Sequence, residues 1–193
     1  KAIQVLVNGI NDMLGSYGST IDFTNLVNYR QGDDAAMAGF VKEAEAGQVD
    51  AAIFYNCNPV YDHPMGDKLA AGIKKLKLSI STGYKEEETG TLVNYQAPDH
   101  HFLEAWNDAE PKKNHFSLGQ PTITPIFKSR AAQESLMIWA GETNADYFEF
   151  VKNNWKTWFY KDQTIDFQQF WDKGLYDGVL ELPSTEVVSV PLT

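Results

Sequence analysis

Residues 49–55 form a nearly unbroken apolar run, broken only by Asp50, between Gly47 and the turn-forming string Asn56-Cys57-Asn58-Pro59. A run this short, punctuated on both sides, suits a strand covered by helices on both faces. It sets the reading of its neighbours. Upstream, Asp33 or Asp34 caps a helix over residues 35–46, with Met37, Phe40, Val41 and Ala44 on its inner side, and Gly47 ends it. Downstream, residues 67–76 read as a helix and residues 78–82 as a second strand. Glu86, Glu87 and Glu88 then open a short helix, where acidic side chains oppose the positive helix end. Residues 93–97 supply a third strand or edge segment.

This alternation predicts an α/β fold: a three-layer Rossmann-like parallel sheet with helices on both faces. Ligands in such sheets sit beyond the carboxyl ends of the strands. Here that edge comprises the loops at 55–60, 82–89 and 97–104.

Ile3, Leu6, Val7, Ile10, Met13 and Leu14 recur at spacings of three and four, which predicts an amphipathic first helix ending before Gly15 and Gly18. Residues 20–27 read as extended. Residues 105–130, rich in Pro, Gly, Asn and Lys, read as a long excursion over the sheet. A helix is expected over residues 131–140. Asp146 and Glu149 have capping-box spacing for another, running to about Tyr160. Its Phe148, Val151, Trp155, Trp158 and Phe159 make one broad apolar face. A last helix carries Phe167, Phe170 and Trp171 and stops at Gly174, and residues 187–190 look like a strand. Two domains follow: an α/β domain over 1–141, and an aromatic-rich helical extension over 142–193 that ends in an extended tail and packs on the same core.

A formal charge of -10 argues against nonspecific nucleic-acid binding, because a phosphate backbone needs a basic footprint. A small anionic cofactor remains compatible, because loop amides and helix ends can hold it. The single cysteine, Cys57, permits neither an internal disulfide nor a thiolate-built iron–sulfur or zinc cluster. No apolar run reaches the roughly 20 residues that span a bilayer. The start Lys1-Ala2-Ile3-Gln4 reads as processed or excised from a longer chain.

Three constellations carry chemistry, each beside a plainer explanation. Asn56-Cys57-Asn58-Pro59 can present amide and backbone donors to a nucleotide or pterin, or it is an Asx-type turn. Cys57 lacks a partnered base and reads as a small buried thiol. Glu88-Thr89 can accept donors from a ligand at a strand-to-helix junction, or it serves helix-start electrostatics. His100, Glu104 and Asp108 would share a helix face and could hold a divalent metal, but they lack paired-histidine spacing. Helix capping and solvation explain the same letters. No serine sits on a Gly-rich elbow, and no Gly-rich phosphate loop is present.

Several stretches together resemble the molybdopterin oxidoreductase family. They are the segment from Leu6 through Asn8-Gly9-Ile10-Asn11 to Leu14-Gly15 and Gly18, then Asn58-Pro59, Glu88-Thr89, and Ala97-Pro98 followed by Glu104 and Trp106. The likeness covers about residues 3–141. Val27-Asn28-Tyr29, Tyr55-Asn56-Cys57-Asn58-Pro59-Val60-Tyr61, Phe116-Ser117-Leu118-Gly119-Gln120-Pro121 and Ile123-Thr124-Pro125-Ile126-Phe127 are most similar to the cofactor-free molybdopterin-like domain of the alternative complex III iron–sulfur subunit.

That resemblance implies a fragment acting structurally in a quinol-oxidising electron-transfer complex, with no catalytic residue, metal or cofactor of its own and inactive in isolation. The parent's iron–sulfur clusters would lie in other domains. Its partners would be those domains and the quinol-oxidising and cytochrome subunits, peripheral to the periplasmic side of a bacterial inner membrane. The alternative is the dinucleotide-binding part of a true molybdenum-dependent oxidoreductase of the polysulfide or thiosulfate type. There, Asn58, Pro59, Glu88 and Thr89 would contact molybdopterin guanine dinucleotide; in the cofactor-free case they are vestigial. A plain α/β protein-interaction domain is the third reading. The sequence departs from the active enzymes where Asn56-Cys57 replaces the usual Gly before Asn-Pro, and where Val93-Asn94-Tyr95-Gln96-Ala97-Pro98 replaces Ala-Asp followed by Val-Leu-Pro.

Overall fold

The computed structural model describes residues 2–161 and 164–183. In chain order its elements are α1 (Ala2–Met13), α2 (Asp34–Glu45), β1 (Ala51–Phe54), α3 (Pro59–Asp62), α4 (Gly66–Ile73), β2 (Leu78–Ser81), a 3-10 turn (Gly90–Leu92) and β3 (Tyr95–Gln96). There follow β4 (Asn107–Lys112), β5 (His115–Gly119), α5 (Ala132–Trp139), α6 (Tyr147–Trp158), α7 (Phe167–Asp177) and β6 (Val179–Glu181). The chain forms two compact units, each discontinuous in sequence. One comprises residues 1–31, 108–118 and 173–193, and the other residues 32–107 and 119–172.

The expected single three-layer sheet is not what forms. There are two separate small sheets, one in the order β1-β2-β3 and one in the order β4-β5-β6. The first is parallel, with Ala51 to Phe54 paired to Leu78 to Ser81, and Ile80 and Ser81 paired to Tyr95 and Gln96. Its third strand is only two residues long. Before it, the Asn94 side chain takes over the ladder: Oδ1 accepts from the Ser79 N–H and hydroxyl at 2.8 and 2.9 Å, and the Asn94 N–H donates to Ser79 Oγ at 2.9 Å.

Helical cover falls on one face of this sheet. Val41 of α2 and Leu69 and Ile73 of α4 close over Phe54, with Leu76 completing the core and Ala52 packed against it. On the opposite face Ile53 remains 47% exposed and Leu78 41% exposed. The apolar letters of 49–55 read as two-sided burial, but only Phe54 is buried, with Val49 and Ala52 half-buried. Two glycines set the helix spacing: a Cβ at Gly72 would lie 2.8 Å from the Ala44 carbonyl carbon, and one at Gly66 would lie 2.1 Å from the Val60 oxygen. Asp33 caps α2, accepting from the Ala35 and Ala36 N–H groups at 2.8 and 3.0 Å.

In the same unit, Trp155 of α6 and Trp171 of α7 are buried and meet edge to face, 6.0 Å between ring centroids. Trp106 and Phe148 pack beside them, 4.6 Å apart. Asp146 caps α6 through the Glu149 N–H at 3.1 Å, as its spacing predicted. Helix α7 runs through Gly174 rather than stopping there, and it is Gly178 that takes a positive φ, +71°.

The stretch expected to be an irregular excursion contains the β4–β5 hairpin of the second sheet. Asn114 adopts a left-handed φ of +64° in its two-residue turn, a conformation Asn tolerates. Pro111 disguised β4, but that strand lies at a sheet edge, where a missing N–H is harmless. β6 pairs antiparallel with β5 through His115, Phe116 and Ser117. Helix α1 forms where the spacing predicted, yet buries none of its residues: Ile3, Leu6, Ile10 and Met13 are all more than half exposed. The strand expected at 187–190 lies outside the described residues.

Candidate functional site

Because β1, β2 and β3 run parallel, their carboxyl ends open on one rim, and the loops after them meet there. The first loop turns at Asn56, whose φ of +46° is left-handed. Its N–H donates to Thr82 Oγ1 at 3.0 Å, and its Nδ2 donates to Asp99 Oδ2 at 2.9 Å. Asp99 Oδ1 accepts from the backbone of His100 and of Ala132, both at 2.7 Å. One buried carboxylate thus ties the first loop, the third loop and the start of α5.

Asn58, Pro59, Glu88 and Thr89 are brought together. Pro59 occupies the first turn of α3, where its missing N–H is harmless. Asn58 leaves that helix uncapped because its side chain faces the second loop. Its Oδ1 accepts from the Thr89 N–H and hydroxyl at 3.0 and 2.7 Å, and its Nδ2 donates to Glu88 Oε2 at 2.6 Å. Thr89 Oγ1 also accepts from the Val60 N–H at 3.1 Å. The helix expected at Glu86 does not form. The acidic run lies in a loop, and the first helical turn is the 3-10 segment at Gly90, because Thr89 is held by Asn58 and Val60.

The Asn58 bond holds the Glu88 carboxyl below its ordinary range. Desolvation pushes the Cys57 thiol up, reinforced by the carboxylates of Asp62 and Glu87. Cys57 itself is exposed, which corrects the expectation of a buried thiol. Burial also raises the Tyr55 hydroxyl, with Asp99 adding to the effect, and Gln133 Nε2 donates to that hydroxyl at 2.8 Å.

Beside the clasp lies a cavity of about 660 Å³. Four carboxylates line it, those of Asp62, Glu87, Glu88 and Asp99, together with aromatic rings such as Tyr61 and Trp106. Among the described residues lining it there is no Lys or Arg. A second, more apolar hollow of about 720 Å³ lies along Pro98, Leu103, Ile123, Ile126 and Phe127.

His100, Glu104 and Asp108 do not share a helix face, since residues 99–106 form a loop and turn. Glu104 is buried and accepts from the His101 and Ile126 N–H groups at 3.0 and 2.9 Å, which holds its carboxyl below the ordinary range, the Ile126 bond contributing most. It braces a loop. Among the described residues, no group of three His, Cys, Asp or Glu side chains converges as a metal site would require.

A pyrophosphate-bearing dinucleotide fits this rim poorly. Such a group needs cationic or N–H donors, whereas the amides of Asn56 and Asn58 each donate to a carboxylate and the lining carboxylates would repel it. Sequence reasoning missed Thr82, Asp62 and Gln133. Thr82 reads as the end of a strand, and Gln133 lies 78 residues from the hydroxyl it reaches, so neither carries a local signal. No protein-family model matches the sequence, and no curated protein matches it significantly.

Proposed function

We propose that this chain is a structural module of a molybdopterin-oxidoreductase-like iron–sulfur subunit, serving a quinol-oxidising electron-transfer complex without binding a cofactor itself. One observation carries the reading. Asn58, Glu88 and Thr89, the residues through which a relative would hold a dinucleotide, are bonded to one another at the carboxyl rim of a parallel sheet. Their position is where such sheets bind ligands, and their polar groups are turned toward one another across the rim.

The exposed apolar stripe of α1 gives secondary support. A contiguous patch of large aliphatic side chains is characteristic of a surface covered by other protein. In this proposal the cover comes from other domains of the parent chain or from quinol-oxidising and cytochrome subunits, at the periplasmic face of a bacterial inner membrane. No helix among the described residues is long and apolar enough to cross that membrane itself.

The cavity beside the clasp favours a second reading, the dinucleotide-binding part of a molybdenum-dependent oxidoreductase. Its acidic lining speaks against that. Metal and pterin analysis of the purified full-length parent separates the two: the first reading expects neither in stoichiometric amount. One molybdenum and its pterin per chain would overturn it.

A further inference from the structure

We propose that the free edge of β1 pairs antiparallel with the same edge of a second copy of this chain, about a twofold axis at Ile53. This inference does not depend on the ancestry proposed above.

The ladder between β1 and β2 decides which backbone groups of β1 are taken. The Leu78 N–H donates to the Asp50 carbonyl at 3.1 Å, and the Thr82 N–H donates to the Phe54 carbonyl at 3.0 Å. Backbone direction alternates along a strand, so Asp50, Ala52 and Phe54 face β2. The N–H and C=O groups of Ala51, Ile53 and Tyr55 therefore point the other way. On that side β1 is the outermost strand of its sheet, and no described residue bonds to those groups. Such a row is a template for a further strand. The usual devices that blunt an edge are missing: Ala51–Phe54 holds no charged residue and no proline, and its register with β2 is unbroken. At the far edge of the sheet, β3 is only two residues long.

A second copy is the partner that fits, because this edge is complementary to itself. Ala51, Ile53 and Tyr55 also place their side chains on the face that no helix covers, where Ala51 is exposed, Ile53 47% exposed and Tyr55 41% exposed. With Ile53 on the axis, it meets its own counterpart and each Ala51 meets a Tyr55. Every facing pair exchanges two hydrogen bonds and joins two apolar side chains. Charge favours the same orientation. The segments that precede β1 and β2, 42–50 and 74–77, carry four lysines and three acids. The loops at the carboxyl rim, 55–62, 82–89 and 97–104, carry one lysine and six acids. A half-turn sets the lysine-bearing end of one sheet beside the acidic rim of the other, whereas a parallel arrangement would set the two acidic rims together.

Sedimentation velocity of the full chain over a concentration series tests the pairing. A dimer that dissociates on dilution is expected. Ile53→Lys leaves the β1–β2 ladder intact but sets like charges against each other on the axis, and should weaken the dimer by at least about tenfold. Leu6→Lys, in the exposed stripe of α1, should leave it unchanged. Amide hydrogen exchange reads the edge directly in the native chain. The amides of Ala51, Ile53 and Tyr55 should exchange more slowly in concentrated than in dilute protein, a comparison that stands even if Ile53→Lys fails to fold. A monomer at every concentration overturns the proposal. So does a dimer that survives Ile53→Lys, one that Leu6→Lys abolishes, or exchange at the three edge amides that is independent of concentration.

Discussion

Asn58 Oδ1 accepts both the N–H and the hydroxyl of Thr89, at 3.0 and 2.7 Å, joining the loops that leave two neighbouring parallel strands. Thr89 is almost wholly buried, so its polar groups have no recourse to water. Asn58→Ala strands both donors and should destabilise the fold by roughly 2 kcal/mol. Urea unfolding measures it. A loss within about 0.5 kcal/mol of zero, the scale of ordinary surface substitutions, would show that the clasp contributes nothing.

Gly72 lets α4 approach α2 at Ala44, where a Cβ would meet backbone at 2.8 Å. Gly72→Ala must push the helices apart and loosen Val41 against Leu69 and Ile73, at a cost of about 1–3 kcal/mol. At an open helical position the same change would stabilise instead, so the sign of the shift in thermal midpoint decides.

Glu104 links its carboxylate to the backbone of His101 and Ile126, and its acidity is raised accordingly. A carboxyl held below its unfolded value adds stability above that value and loses it as pH falls through the folded one. The melting temperature of the native chain should therefore exceed that of Glu104→Gln near neutrality, and the gap should close on acidification through the carboxylate range. A gap independent of pH would assign the effect to shape rather than charge.

Cys57 is reachable by solvent yet poorly ionised, because desolvation and the carboxylates of Asp62 and Glu87 oppose the thiolate. Its alkylation by iodoacetamide at pH 8 should run slower than that of a cysteine in an unfolded peptide, since the thiolate is the nucleophile. Glu87→Gln should speed it. Rates equal to the peptide's would remove the electrostatic account.

Trp155 and Trp171 meet edge to face in the aromatic cluster of the larger unit. Trp155→Ala should cost about 3–5 kcal/mol, read from denaturant unfolding, whereas Trp158→Ala, at a residue 67% exposed, should cost far less.

The local chemistry of the chain was decided by sequence. Helices α1, α2 and α6 follow from apolar spacing and from Asp33 and Asp146 at the caps, because a helix satisfies its backbone within itself and needs only a few letters to begin. The parallel order of the first three strands, and the meeting of Asn58 with Glu88 and Thr89, also follow from the helix–strand rhythm. Tertiary structure alone decided which side of β1 is buried and that β2 is buried on both. Ile53 and Phe54 are adjacent apolar letters, but only Phe54 faces the helices. It also decided that Asn107 to Gly119 folds into a hairpin, because β4 is polar almost throughout and leaves no apolar period to read on one of the two strands. The engagement of Asn58 inward rather than toward a ligand was equally beyond the letters. An amide side chain can donate and accept in either direction, and only the position of Thr89 across the rim fixes the choice.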